Sequence, residues 1–119
     1  MGVKDFLQWQ WSDYASKHRD RVNLMIHIVV VPCFQAGTIL VLAAAAARSL
    51  TWAAAGGCGW LLAVAAEGAG HSREAERAAP FTSAWDFIRR FFSEQWVTFP
   101  RFVITGGWKR NLQAVGRRS

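Results

Sequence analysis

Two long stretches without any aspartate, glutamate, lysine or arginine constrain the fold of this chain more than any other feature. The first covers 24 residues from Leu24 to Ala47, and the second covers 17 residues from Leu50 to Ala66. A membrane-crossing helix needs about 20 mostly apolar residues, so we predict an all-α integral membrane protein built on a helical hairpin, with Arg48 in its turn. The alternative is a soluble protein with two buried core helices, although a chain of 119 residues rarely surrounds two such helices completely.

The segments that flank the hairpin are amphipathic. We predict a single membrane domain made of five segments, over residues 1–21, 22–47, 50–71, 83–97 and 100–119. The first segment places tryptophans and Tyr14 at helical spacing, which is typical of a helix at the membrane interface. Ser83 and Asp86 form an S-x-x-D capping box that predicts the start of the fourth segment, and Pro100 is expected to end it. The last segment is expected to be an interfacial or re-entrant tail.

The basic residues are distributed unevenly and predict the orientation of the hairpin. Four of the fourteen precede the first apolar run, nine follow His71, and only Arg48 lies between the runs. The positive-inside rule then places both termini in the cytoplasm.

The net charge of +6 favours anionic lipid headgroups over nucleic acid as a partner. The excess of arginine over lysine is typical of a GC-rich genome, so we predict a bacterial inner-membrane protein, and we expect a homo-oligomer because two helices make a thin bundle.

The familiar motifs of nucleotide-binding and hydrolytic enzymes are missing from the sequence. There is no nucleotide-phosphate loop, no Ser-His-Asp pattern and no cysteine-based zinc motif. Cys33 and Cys58 lie inside the apolar runs and form no C-x-x-C pair, so we expect two buried, free thiols. The residues left to carry chemistry are the histidines and carboxylates at the ends of the predicted helices.

All three histidines of the chain lie at the edge of an apolar run. In a hairpin, the start of the first long helix and the end of the second meet on one side, which brings His27 close to His71. Asn23 and His27 are four residues apart and share a helical face, whereas His18 joins them only if the chain bends between positions 18 and 27. We predict that the three histidines share a metal site. The alternative is that they lie at the surface or form hydrogen bonds between helices.

A carboxylate is expected beside these imidazoles. On a helix Glu74 lies about 20° and His71 about 40° from Glu67, so the three share a stripe, provided that the helix continues through the glycines near its end. Imidazole with carboxylate is the ligand set of non-haem iron sites that keep positions open for oxygen. We predict Glu74 as the carboxylate ligand, with Glu67 and Glu76 as alternatives. These carboxylates could instead pair with nearby basic residues in a solvated cap.

Two sequence blocks resemble the yeast-type 2-hydroxy fatty acid dioxygenase family of small multi-helix membrane proteins. One is "YASKHRDRVNLMIH", which reads Tyr14-x3-His18-x4-Asn23-x3-His27, and the other is "GHSREAERAAP", which begins at Gly70. The resemblance extends over about residues 10–110. It implies an iron(II)-dependent dioxygenase that shortens 2-hydroxy fatty acids by one carbon through α-oxidation.

The same resemblance implies roles for individual residues. The three histidines would hold Fe(II), and Asn23 would belong to the catalytic group around the metal. Molecular oxygen and a lipid-derived 2-hydroxy acid would be the substrates. Four further residues are predicted to bind the fatty acid, namely Tyr14, Lys17, Arg73 and Arg77. The alternative function is a non-enzymatic small membrane protein in which His18, His27 and His71 make structural contacts between helices.

Overall fold

The structure is a computed structural model that describes residues 2–118, which form helices joined by short turns and one longer segment over 72–83 and contain no strand. The helical elements are α1 (Val3–Tyr14), a 3₁₀ turn (Ala15–Lys17), α2 (Arg21–Ala46), α3 (Leu50–His71), α4 (Ala84–Ser93), a π-helical segment (Glu94–Thr98), α5 (Phe99–Ile104) and α6 (Gly107–Arg118). This confirms the prediction of an all-α fold with a long hairpin and flanking helices. The observed bounds of α2 and α3 lie within one residue of the predicted ones.

Local chemistry sets the ends of the two hairpin helices. The side chain of Asp20 accepts a hydrogen bond from the backbone N–H of Asn23 and caps α2. Ser49 does the same for α3, which satisfies one N–H that has no partner in the first turn of a helix. Between the helices, Arg48 adopts a left-handed conformation with φ of 54°. This single residue reverses the chain at the predicted turn.

The hairpin helices approach each other closely at Gly56. A Cβ atom there would lie 3.0 Å from the carbonyl oxygen of Gly37 and would collide with the side chain of Val41. By contrast, a Cβ at Gly57 or Gly59 would have no neighbour within 4 Å. Small residues let helices pack closely in membrane proteins. Gly56 therefore lies in the contact between the two helices, while Gly57 and Gly59 of the same "GGCG" segment face open space.

The rest of the hairpin surface is apolar and exposed. Only 17% of the most apolar window of each long helix is buried. Large exposed side chains on this surface include Val29, Ile39, Leu42, Leu61 and Leu62. This exposure differs from that of core helices in a soluble protein, which are mostly buried. By length and composition, both helices could cross a membrane.

The prediction that the two cysteines are buried is wrong, because both thiols are free and exposed on this surface.

The remaining helices gather at the end of the hairpin where α2 begins and α3 ends. Their main core cluster consists of Tyr14, Leu24, Val31, Phe99 and Phe102. Hydrogen bonds tie the same helices together: the indole of Trp108 on α6 donates to the carbonyl of Leu24 at 2.8 Å, and Gln10 on α1 donates to the carbonyl of Arg90 at 2.8 Å. The hairpin therefore carries a compact helical cap at one end only.

The helical run that begins with α4 continues beyond its predicted end. Pro100 lies in the first turn of α5, directly after the π-helical segment, and the helical backbone runs on through it. The prediction that Pro100 ends the run is therefore wrong. The predicted tail over 100–119 forms α5 and α6 across its described residues, joined at Gly106 with φ of 84°. Phe102 and Trp108 pack within the cap.

Candidate metal centre

The chain bends between α1 and α2, and the bend brings His18 to His27. The 3₁₀ turn ends before His18, whose backbone has φ of −134° and ψ of 65°, and α2 then starts in a new direction. Asn111 of α6 holds this bend by donating to the carbonyl of His18 at 2.7 Å. The His18 and His27 rings have centroids 4.8 Å apart. The bend that the sequence analysis required is present.

His71, the last residue of α3, completes a group of three imidazoles. Its ring centroid lies 4.6 Å from that of His18 and 5.0 Å from that of His27. The rings are nearly perpendicular to one another, with interplanar angles of 83° to 90°. The structure thus brings all three sequence-predicted histidines together at the junction of the hairpin and the cap.

Backbone carbonyls orient two of these rings. His18 Nδ1 lies 2.8 Å from the carbonyl oxygen of Tyr14, and His27 Nδ1 lies 2.9 Å from that of Asn23. A carbonyl oxygen can only accept, so Nδ1 must carry the proton in both rings. In a neutral imidazole this leaves a lone pair on Nε2. The same second hydrogen bond orients histidines that bind metals in other proteins.

Glu94 supplies a carboxylate to the group. One of its oxygens lies 3.2 Å from His18 Nε2 and 3.7 Å from His27 Nε2. One donor atom from each of the three histidines and from Glu94 lies within 4.8 Å of the other three. His18 Nε2, His27 Nε2 and His71 Nδ1 are buried and make no hydrogen bond of good geometry among the described residues, although carboxylate oxygens lie 3.2 Å from His18 Nε2 and 3.1 Å from His27 Nε2. Since buried polar atoms nearly always have a partner, this donor set fits a metal ion.

The charges of the groups outside the two long helices suit the same role. Burial lowers the pKa of His18, and this outweighs the opposite effect of Glu94. Burial alone would raise the pKa of Glu94, but the adjacent His18 and His27 hold it well below its usual range. Burial and the nearby Glu94 raise the pKa of the Tyr14 phenol. At neutral pH the group therefore presents a neutral imidazole at His18, an ionised carboxylate and a protonated phenol.

A second buried carboxylate lies at the edge of this group. Glu67 Oε1 is 3.1 Å from His27 Nε2 and accepts a hydrogen bond from the amide of Gln95 at 2.9 Å. Its other oxygen is buried without a hydrogen-bond partner in the described part of the chain. Glu67, one of the alternatives considered from the sequence, is thus next to the site but outside the four-residue group.

Glu74, the carboxylate predicted as a ligand, does not join the imidazoles. α3 ends at His71, so Glu74 leaves the helical stripe that the prediction required. Its carboxylate instead accepts hydrogen bonds from the backbone N–H groups of Arg19 and Asp20 and, at 2.7 Å, from the Asn23 side chain. Glu74 and Asn23 therefore fix the bend that carries His18. The third candidate, Glu76, is exposed and lies 3.8 Å from the Lys17 ammonium.

The residues predicted to bind substrate divide into two pairs. Tyr14 stacks on His18 with a centroid distance of 3.7 Å, and both Tyr14 and Lys17 line a cavity beside the imidazoles. Arg73 is exposed and pairs with Asp20 at 3.0 Å, and Arg77 is exposed. The structure therefore brings Tyr14 and Lys17 to the site, whereas Arg73 and Arg77 lie outside it.

Glu94 was not predicted as a site residue, because the spacing of apolar residues in the sequence indicated the face of α4 that is exposed in the structure. The spacing of Trp85, Ile88 and Trp96 indicates an amphipathic helix, but these side chains are exposed. Phe91 is buried and Phe87 is half-buried on the opposite face, and Glu94 follows Phe87 by seven residues. An acidic residue on that apolar stripe is the signal that could have revealed it. The π-helical turn that starts at Glu94 was not predictable, and such turns often occur at functional sites.

Comparison with protein-family models, curated proteins and solved structures gives no match. The resemblance to the 2-hydroxy fatty acid dioxygenase family therefore stays a prediction that rests on the two histidine-containing sequence blocks. Independent of that resemblance, the structure holds two helices able to cross a membrane and a histidine-carboxylate group at their shared end.

Replacing Glu94 by glutamine tests its place in the donor set. Glu94→Gln keeps the shape of the side chain but removes its charge, so we expect metal affinity to fall about 100-fold or more. Anaerobic titration of Fe(II) against a chelating dye measures this affinity. Glu76→Gln is the matched control and should bind like the wild type. Equal affinity in the two variants would remove Glu94 from the ligand set.

Proposed function

We propose that this protein is a membrane-bound non-haem iron enzyme. The observation that carries the proposal is a group of three buried imidazole nitrogens that make no hydrogen bond of good geometry within the described part of the chain, next to the Glu94 carboxylate. Nitrogen and carboxylate donors suit Fe(II), and a set of this kind leaves coordination positions open for oxygen and substrate. In the proposed site His18, His27, His71 and Glu94 hold the ion.

The proposed reaction is the one-carbon shortening of 2-hydroxy fatty acids. Its support is the sequence resemblance, together with a site at the end of two apolar helices. A 2-hydroxy acid and one O2 balance as the acid shorter by one carbon, CO2 and water, with the C1–C2 bond broken and oxygen reduced. This balance needs no further reductant. Bound iron would supply oxygen activation and Lewis-acid polarisation of the substrate oxygens.

The residues of the chain would prepare this chemistry in three ways. The carbonyls of Tyr14 and Asn23 hold the Nδ1 atoms of two imidazoles, so Nε2 of each ring is left to bind the ion. The protonated Tyr14 phenol is buried beside the Glu94 carboxylate, so it can donate to that carboxylate in the metal-free site or to an anionic substrate once Glu94 holds the ion. Lys17, at the rim of the adjoining cavity, adds a positive charge for a carboxylate.

The proposal places α2 and α3 across a bacterial inner membrane with both termini in the cytoplasm. The exposed apolar surface of the hairpin supports membrane insertion, and the distribution of basic residues supports the orientation. The metal group then lies at the cytoplasmic surface, where lipid-derived acids and oxygen reach it. Assembly into a homo-oligomer remains a prediction.

Metal analysis combined with turnover tests the proposal. Protein purified anaerobically into lipid nanodiscs is expected to bind about one Fe(II) per chain and to consume oxygen with 2-hydroxypalmitate. Palmitate, which lacks the 2-hydroxyl group, is the control substrate and should support no oxygen uptake. Iron binding without a shortened product would reject the proposed reaction, and bound zinc would point to hydrolytic chemistry instead.

The second candidate is a non-enzymatic membrane protein with structural histidines. It is favoured by one observation: the 3.1 Å contact between His27 and Glu67 joins α2 to α3, and Gln95 extends the network at 2.9 Å. In that case the purified protein holds no transition metal, and a chelator leaves its unfolding temperature unchanged. Loss of stability on chelation would exclude this candidate.

A further inference from the structure

A half-open cavity of about 220 Å³ adjoins the metal group. His18, Glu67, His71 and Glu94 belong to its lining and Asp13 and Arg90 also border it, although most of the lining surface is apolar. The walls come from α1, α3, α4 and the segment that precedes α4. Ligand pockets usually measure about 300–1,000 Å³, so this cavity suits part of a narrow apolar molecule and is too small for a partner helix.

We propose that this cavity receives the acyl chain of a fatty acid whose polar end lies at the imidazoles, and that Gly68 determines how bulky a chain it accepts. This inference rests on the proposed function for the identity of the ligand. An amphiphile matches the lining, since apolar walls end at a group of nitrogens and a carboxylate. The cavity is lined both by the last turns of α3 and by α1 and α4, so it lies where the apolar hairpin meets the cap.

Gly68 is singled out by the space around it. It lines the cavity three residues before His71, and a Cβ atom there would have no neighbour within 4 Å. A larger side chain can therefore fill the cavity without displacing the fold. Gly70 differs, because a Cβ there would collide with the side chain of Asn23. Packing requires glycine at position 70, whereas at position 68 its effect is to leave the cavity open.

Aromatic side chains form a fixed wall of the same cavity. Phe87 stacks on Phe91 with centroids 5.6 Å apart and meets Phe81 edge-on at 5.0 Å. Arg90 holds the segment before α4 in place by donating to the carbonyls of Ala79 and Pro80 at 2.8 and 3.1 Å. Because these contacts hold the aromatic wall in place, the cavity cannot widen to accommodate a larger side chain at position 68. Such a side chain must therefore exclude the acyl chain.

Photo-crosslinking of metal-free protein in nanodiscs tests the inference. The probe is palmitic acid with a diazirine near its methyl end, and labelled peptides are mapped by mass spectrometry. In the wild type we expect label in α1 and in residues 78–91. Gly68→Leu should reduce that label about tenfold, because the leucine side chain takes up space that the acyl chain would fill. A tenfold loss of affinity corresponds to about 1.4 kcal/mol.

Gly57→Leu is the matched control. Position 57 lies on the same face of α3, about 20° away and about 16 Å along the axis, and a Cβ there also has no neighbour within 4 Å. It does not line the cavity, so labelling should match the wild type. Equal labelling of Gly68→Leu and the wild type, or label confined to the outer surface of α2 and α3, would overturn the inference.

A second variant keeps the test decisive if Gly68→Leu does not fold. Phe87→Ala removes part of the wall, so an ω-cyclohexyl fatty acid should displace the probe more effectively than from the wild type. Unchanged displacement would contradict the proposed cavity. The metal content of each sample separates this inference from the proposed function. Protein that binds no iron but labels as expected would support the acyl cavity and contradict the proposed iron enzyme.

Discussion

His27→Ala is expected to abolish tight metal binding and the stability that metal confers. The His27 side chain is fully buried, and its Nε2 atom lies 3.1 Å from Glu67 and 3.7 Å from Glu94. Removing it deletes a ligand and leaves two buried carboxylates without their shared partner. Metal at 100 times its Kd should stabilise the wild type by about 2.7 kcal/mol. Thermal unfolding with and without Fe(II), under anaerobic conditions, measures the difference.

The comparison across variants makes the result specific. His18→Ala and His71→Ala should lose the same metal-dependent stabilisation, because one nitrogen of each ring belongs to the same group of donor atoms, which lie within 4.8 Å of one another. Glu76→Gln, at an exposed carboxylate, should retain it. A metal-dependent shift of normal size in His27→Ala would show that the ion binds elsewhere, and the proposed centre would then be wrong.

Gly70→Ala is expected to destabilise the protein by about 1–3 kcal/mol, because a Cβ at this buried position collides with the Asn23 side chain. Asn23 donates a hydrogen bond to Glu74, so the displacement reaches the bend that carries His18. Metal affinity should fall about tenfold in consequence. Chemical unfolding in detergent and the dye titration measure the two effects.

Gly68→Ala is the control for this variant and should change stability in the opposite direction. Alanine is favoured over glycine in helices by about 1 kcal/mol, and position 68 has room for the added methyl group. Two alanine substitutions, two residues apart on α3, thus differ in sign. Equal stabilisation by both would mean that α2 and α3 do not approach closely at Gly70.

The hairpin and the meeting of the histidines could be predicted because both depend on features that are local in sequence. Runs without charge indicate where the long helices lie, and a hairpin places the start of one beside the end of the other. His27 and His71 therefore had to be near neighbours. The position of His18 could be predicted only conditionally, because it depends on the bend that Asp20 and Glu74 stabilise.

The carboxylate of the site could not be assigned because it depends on long-range packing. Glu74 shares a stripe with His71 only in a continuous helix, and α3 ends at His71. Glu94 lies 67 residues after His27 in the sequence and reaches it only when α4 packs onto the hairpin. Within the π-helical segment the adjacent residues Glu94 and Gln95 have different partners, as Gln95 contacts Glu67 while Glu94 contacts His18.

The carbonyl contacts of His18 and His27 fix the orientation of two imidazole rings before any ion binds. The His27 ring loses its rotational freedom when α2 forms, and the His18 ring loses it when the bend after the 3₁₀ turn closes, since each Nδ1 is held by the carbonyl of the residue four positions earlier. The entropic cost of aligning these two rings therefore falls on folding and not on ion capture. The metal-free chain holds an ordered set of donors at the expense of its own stability, and an arriving ion meets rings that are already aligned.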